Sequence, residues 1–470
     1  MTTTLLIRTF RQLSPKDLRA LREWVRCGVF NRREDVALLG EYLCDNINKV
    51  TAKELSAEAL WKAACPGKAL KVKQLRHIMS FLLATVRQYL AWSEWQSDEA
   101  DVQRYLLRSL GTRHLDQLFE KAWEQGRDQV EQQPVRDAQY HFSRYMLQQE
   151  QIKYSAGSSS DVKEELPSMP DELTTFYISE MLRNACLTHT NQAVSGQEFR
   201  LDLLQVVIKT AGRQEMLQIP AVAVYYHAYQ MLQAPTDDDP YERLKNTLNK
   251  FQHRFSATEL RSLYYILINA CIRRVNAGRR SFIREAFELY KAGLEKDVFL
   301  ENNMLSGHTY KNIIRVAVSY GDYAWAEKFL EQYKSKIHPK ERESLYRLNL
   351  AFLRFRQKDF SQALPLLKKL NLEDVTSNLE VRRMLLQTYY ETNDTTSLAP
   401  LLDSFSTYLQ KQKNLGHHQT SHENLIHFTR KLIEADTSNR LAMNMLYKEI
   451  ENRSDVMEKS WLLEQLRAYA

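Results

Sequence analysis

The sequence predicts an all-α protein: an N-terminal helical bundle followed by an α-solenoid of antiparallel helix pairs. Three observations carry that expectation. Gly (13) and Pro (11) are scarce in 470 residues, so long stretches run without the two strongest breakers of regular structure. Apolar residues recur at helical spacing through most of the chain, whereas sustained apolar–polar alternation bounded by turn residues, the mark of a strand, is nearly missing. One layout also returns three times between about residues 310 and 411: an apolar helix, a short polar turn ending in Asp, a second apolar helix. The turns read Tyr320-Gly321-Asp322-Tyr323, Gln357-Lys358-Asp359-Phe360 and Thr392-Asn393-Asp394-Thr395, with the Asp residues 37 and 35 positions apart. That period, with a helix–turn–helix inside it, marks a helical repeat array.

In chain order, Ser14, Pro15 and Asp17 supply an N-cap, a first helical residue and a first-turn acid. Leu18, Leu21, Trp24 and Val25 then form a stripe. Val36, Leu39, Tyr42 and Leu43 mark a second helix, and residues 56–64 a third, ended by Pro66-Gly67. A long helix follows over about 72–95, with Leu75, Ile78, Met79, Leu82, Val86 and Leu90 expected inward. From 99 to 152 the pattern stays helical but very polar, with Leu106, Leu110, Leu115, Leu118, Phe119 and Trp123 as its face. A Ser/Gly-rich run then leads to Pro167 and Pro170. The expected division is therefore a helical region over 1–154, a linker or long loop over 155–170, helical repeats over 171–412 and capping helices over 413–470.

Within 171–412, helices are expected at 171–188, 198–211, 220–232 and 240–255, the last capped by Asp239 with Pro240 at its first position. Further helices follow at 258–275 and 281–296. In the best repeat, Tyr310, Ile313, Ile314 and Ala317 line one face, Gly321 ends the helix, and Asp322 caps the next. Ala326, Phe329, Leu330 and Tyr333 point inward from that second helix. The small Ala326 suits a close helix crossing, and Ala363 holds the same place after Asp359. Residues 422–470 read as two closing helices, the atypical end a solenoid needs.

This pattern resembles the tetratricopeptide (TPR) family at Tyr310, Ile313, Ala317, Gly321, Asp322, Tyr323 and Ala326, and at Leu350, Ala351, Asp359, Phe360 and Ala363. It departs where Tyr310 stands for the family's Trp and Ile313-Ile314 for its Leu-Gly pair. The Asp394 segment has Leu386 and Leu398 where the family has small residues. The N-terminal block is similar to openings of uncharacterised bacterial TPR-like proteins, which imply no activity. The resemblance implies stacked helix pairs whose first helices line a concave groove, and hence a non-enzymatic scaffold that binds a protein or peptide there. In that frame Lys311 and Arg315 lie one turn apart on one groove helix, and Arg383 and Gln387 at equivalent places on another. All four are expected to face outward into the groove, where a basic surface suits an acidic peptide or a C-terminal carboxylate. Exposed charges contribute little to stability, so joint replacement of Lys311, Arg315 and Arg383 by Ser should leave the fold intact.

Motifs for common chemistries are missing: no GxxxxGK[ST], GxGxxG, HExxH or GxSxG occurs. No catalytic residue and no cofactor is expected. Five cysteines without CxxC spacing suit reduced thiols and a cytoplasmic setting. The longest apolar runs fall short of a membrane span, and the opening run is too short for a signal peptide. Two other readings concern particular stretches. His417, His418, His422 and His427 contain one i, i+4 pair of metal-ligand spacing, although Gly416 and the polar run before Ser421 favour a loop leading to an N-cap. The first 90 residues hold 16 Lys or Arg against 8 Asp or Glu. Lys68, Lys71, Lys73 and Arg76 cluster there with Arg87 beyond, as a helix-turn-helix binding nucleic acid would place them.

Overall fold

The structure, a computed structural model, describes residues 4–48, 54–155, 169–195, 200–370, 372, 374–412, 417–435 and 439–467. Among these the chain is all-α: twenty-three α-helices and one minimal strand pair, β1 (Leu300–Glu301) with β2 (Met304–Leu305).

The N-terminal bundle comprises α1 (Leu5–Gln12), α2 (Pro15–Arg26), α3 (Glu34–Asn46), α4 (Ala57–Ala64) and α5 (Val72–Ser97). Ser14 and Asp17 form a reciprocal capping box at the start of α2, and Ser56 accepts from the Ala59 N–H to start α4. The apolar stripes then meet in one core that includes Leu18, Leu21 and Val25, Val36, Leu39 and Leu43, Leu60, and Leu75, Ile78, Leu82 and Val86. Gly40 lets α3 approach closely: a Cβ there would meet Leu82 and Val25 at 3.2 Å. Helix α1 was not anticipated. Its Leu6, Ile7 and Phe10 fill the same core, so the apolar run that looks short in the sequence is one helix face. Leu90 is exposed and Tyr89 is buried in its stead.

Next come α6 (Glu99–Gly111), α7 (Asp116–Gln132), α8 (Ala138–Ser155), α9 (Met169–Ser195), α10 (Leu204–Ala211) and α11 (Pro220–Gln233). The expected apolar face of α6 and α7 holds only in part: Phe119 and Trp123 are in the core and Leu110 packs against it, but on α6 Leu107 is buried where Leu106 was expected. Leu106, Leu115 and Leu118 are exposed. With so many polar residues in this region, apolar spacing alone leaves the helix rotation open. Helices α8 and α9 pack on each other; of the expected linker between them, 156–168 lies outside the described residues.

The remaining helices are α12 (Asp238–Phe251), α13 (Ala257–Asn276), α14 (Phe282–Glu295), α15 (Gly307–Tyr320), α16 (Tyr323–Tyr333), α17 (Arg342–Arg356), α18 (Phe360–Lys368), α19 (Val375–Glu391), α20 (Thr395–Lys411), α21 (His417–Glu434), α22 (Arg440–Glu451) and α23 (Lys459–Arg467). Asp237, not Asp239, caps α12. Pro240 sits third in that helix, where a missing N–H still leaves no intrahelical bond unmade. The C-terminal stretch holds three helices rather than two, because Asn439 caps α22 and a left-handed Glu458 (φ 53°) precedes α23.

The three Asp turns share one geometry. Gly321, Lys358 and Asn393 take left-handed φ values of 98°, 60° and 55°. Each following Asp donates its N–H five residues back, to Ala317, Arg354 and Tyr389, which satisfies carbonyls left over at the helix end. Each Asp carboxylate then accepts from the N–H three residues on, at Trp325, Gln362 and Ser397, over 3.0, 3.1 and 3.0 Å. These turns join α15 to α16, α17 to α18 and α19 to α20, and each joined pair packs together. Helix α17 also touches α15 and α19, so the first helices of successive pairs lie side by side. Ala326 and Ala363 are fully buried.

The chain separates into two compact units. Met1–Tyr229 and His253–Phe255 form one, and Gln230–Gln252 with Ser256–Ala470 form the other.

Candidate functional site

Helix α15 buries Tyr310, Ile313, Ile314 and Ala317 completely, and the Tyr310 hydroxyl donates to the Leu330 carbonyl at 2.9 Å. That anchoring fixes the rotation of α15 and turns Lys311 and Arg315, one turn apart, toward α17 and α19. Helix α17 packs through Leu348, Ala351 and their neighbours against α18 and α19, in a core shared with Val381 and Met384. On α19 this leaves Glu380 and Arg383 on the side where α15 arrives.

The four expected residues have different fates. Lys311 and Arg315 converge on one buried carboxylate, Glu380, which is 7% exposed. Lys311 Nζ lies 2.8 Å from Glu380 Oε2, and Arg315 Nη2 pairs with Oε1. Arg315 Nη1 donates to Asn349 Oδ1 at 3.3 Å, and its guanidinium carbon stands 4.7 Å from the Phe352 ring centre. Asn349 is itself fully buried and donates to the Leu345 carbonyl at 2.7 Å. Arg383 comes from α19 and pairs with Glu458 Oε1 at 2.6 Å. Gln387 is buried rather than outward-facing.

Two expectations are therefore corrected. The cations are not fully solvated: the side chains of Lys311, Arg315 and Arg383 are 16%, 25% and 24% exposed. Replacing all three by Ser would not be harmless, because it would strand the Glu380 carboxylate without a cation in a low-dielectric place. Glu380 and Asn349 were missed. Glu380 sits three residues before Arg383, a spacing that puts both on one side of a helix, but only the fold brings α15 to it.

Burial shifts the cluster's electrostatics. It pulls the Lys311 ammonium down to about 8, with the charges of Arg315 and Arg383 acting the same way and Asp374 opposing. Burial also lowers the Arg315 guanidinium to about 9, again helped by Arg383. The Glu380 carboxylate in contact with both works against these shifts. Three cations from two helices thus sit close enough to interact, partly stripped of water, with Glu380 between Lys311 and Arg315 and Glu458 on Arg383. A further anion, beyond Glu380 and the Glu458 carboxylate that pairs with Arg383, meets donors whose desolvation and side-chain ordering have been met in folding.

The other candidate stretches resolve differently. Helix α21 starts at His417, so the loop expected before Ser421 is helical. His422 is buried, its ring 6.0 Å from Phe405, and His427 is exposed. Among the described residues no group of three His, Cys, Asp or Glu is placed to hold a metal. Lys68, Lys71, Lys73, Arg76 and Arg87 are all exposed. Seven residues join α4 to α5, longer than the three- or four-residue turn of a helix-turn-helix. No helix among the described residues is long and apolar enough to cross a membrane. In comparisons with protein-family models, curated proteins and solved structures, no family model, protein or structure matches the chain.

Proposed function

We propose that this chain is a binding scaffold without catalytic activity, and that the surface formed by α15, α17 and α19 receives a carboxylate-rich segment of a protein partner. The observation that carries this reading is the convergence of Lys311, Arg315 and Arg383. They come from helices with another between them and retain part of their surface, and beside burial the charges of Arg315 and Arg383 lower the proton affinity of Lys311, as that of Arg383 lowers Arg315. Guanidinium groups hold carboxylates through paired hydrogen bonds, and an anion arriving here relieves the repulsion among the cations. The TPR-like layout of the three Asp turns supports the same reading, because first helices laid side by side form the kind of surface on which a peptide binds.

The test is capture of partners from native cell extract on the immobilised full chain, followed by elution. A soluble glutamate-rich peptide should release the bound protein, and an uncharged peptide of equal length should not. Release by neither peptide, or by both alike, would overturn the proposal.

A further inference from the structure

The positive excess of the N-terminal block is not spread over it. Its ion pairs join Arg22 to Asp45 at 3.3 Å, Arg26 to Glu34 at 2.7 Å and Glu41 at 2.5 Å, and Arg33 to Asp35 at 2.8 Å. These occupy α2 and α3 and consume four of the block's carboxylates. Between Glu58 and Glu94, by contrast, the chain has no acidic side chain at all, while Lys62, Lys68, Lys71, Lys73, Arg76 and Arg87 fall inside. All six are exposed, and none of them forms an ion pair among the described residues.

Helix α5 shows how these charges are arrayed. Its inner face, Leu75, Ile78, Leu82 and Val86, is fully buried. On the opposite side Lys73, Arg76, Ser80 and Arg87 are exposed at i, i+3, i+7 and i+14, one stripe of the helix. At 1.5 Å per residue the stripe is about 21 Å long. His77 and Gln88 flank it, and the exposed Ala84 and Ala91 leave it low enough for close approach. Residues 66–71, entirely exposed, bring Lys68 and Lys71 to its start.

We propose that this face of α5, with the α4–α5 connection, binds double-stranded DNA. Lys68, Lys71, Lys73, Arg76 and Arg87 meet phosphates, and His77, Ser80 and Gln88 turn toward base edges. A connection and a helix stretch with no carboxylate of their own between Glu58 and Glu94 suit a polyanion, and a major groove about 12 Å wide admits a helix. The narrow, deep major groove of duplex RNA does not. A membrane surface fits less well, because a helix lying on lipid presents its apolar face, and that of α5 is spent in the bundle core. Of the exposed rings on α5, Phe81 is 4.3 Å from the Arg33 guanidinium and Trp92 lies 4.9 Å from the Trp24 ring. This surface belongs to the first unit, and the proposal stands apart from the one for α15, α17 and α19.

The experiment is fluorescence anisotropy of a labelled DNA duplex of about 20 base pairs, titrated with the full chain at 50–200 mM salt. Binding should be micromolar and weaken steeply with salt, by about 0.9 log units per log unit of salt for each phosphate contact. Lys71→Gln, Lys73→Gln and Arg76→Gln together should leave the melting curve unchanged and flatten the salt slope by about 3. Lys328→Gln, Lys340→Gln and Lys369→Gln, the same charge change at exposed positions elsewhere, should leave the slope as it is. Failure of the duplex to bind at 50 mM salt overturns the proposal. So does equal weakening by both triple variants, equal affinity for duplex RNA, or capture of phosphatidylserine vesicles in place of DNA.

Discussion

The Glu380 carboxylate makes a sharp stability prediction. Lys311→Met and Arg315→Met together keep the aliphatic bulk of the stems but leave Glu380, with a side chain 9% exposed, facing no cation on α15. Removing the partners of a buried charge costs about 3–5 kcal/mol. Water reaches the partly exposed Lys311 and Arg315, so the low end, about 3 kcal/mol, applies. For a unit of this size that is a fall in Tm of roughly 6–12 °C. Because the chain has two units, circular dichroism melting should be joined by hydrogen-exchange mass spectrometry, which places the loss on α15 and α19. Adding Glu380→Met removes the stranded charge and should bring stability back to within about 1 kcal/mol of wild type, or beyond it. The reasoning is refuted if the double variant melts like wild type, or if the third substitution restores nothing.

Ala326→Leu or Ala363→Leu should each cost about 1–3 kcal/mol by overpacking, read as a lower denaturant midpoint; unchanged midpoints for both would mean the helices do not cross there. Gly321→Ala should destabilise by about 1 kcal/mol through its backbone alone, since nothing lies within 4 Å of the added Cβ. Lys358→Gly, at φ 60°, should stabilise by less than about 1 kcal/mol, and equal melting of the two variants would contradict the turn geometry. Hydrogen bonds from Ser14, Arg33 and Arg26, respectively, lower the Asp17, Asp35 and Glu41 carboxyls. Their contribution is therefore complete above the ordinary carboxylate range and disappears as pH falls below about 4. An acid titration of hydrogen exchange in α2 and α3 should show it, and flat protection down to pH 3 would exclude it.

The fold class is plain in the sequence because helix spacing and caps are local. Ser14 and the three Asp turns act within five residues of themselves, and all four cap as their positions imply. What escaped has nonlocal causes. Leu6, Ile7 and Phe10 form a helix that needs the bundle core beneath it. The rotation of α6 was misjudged because Leu106 and Leu107 are equivalent until neighbours select one. At the candidate site, the spacing of Lys311 to Arg315 and the repeat offset to Arg383 brought out three of the cations. Glu380 and Asn349 stayed hidden, because a polar residue within a helix declares its partner only when a helix 30 or more residues away is laid against it. Gln387 was misplaced for the same reason: equivalence by repeat offset does not fix burial when α19 has neighbours that α15 lacks.

The account stands or falls on whether the α15, α17 and α19 surface holds the partner. The direct measurement is calorimetric affinity of a captured partner for wild type and for the Lys311→Met, Arg315→Met, Glu380→Met variant, in which the buried charge is balanced. The account predicts at least a tenfold loss, about 1.4 kcal/mol, in a variant that melts like wild type. Undiminished affinity in that folded variant would contradict it.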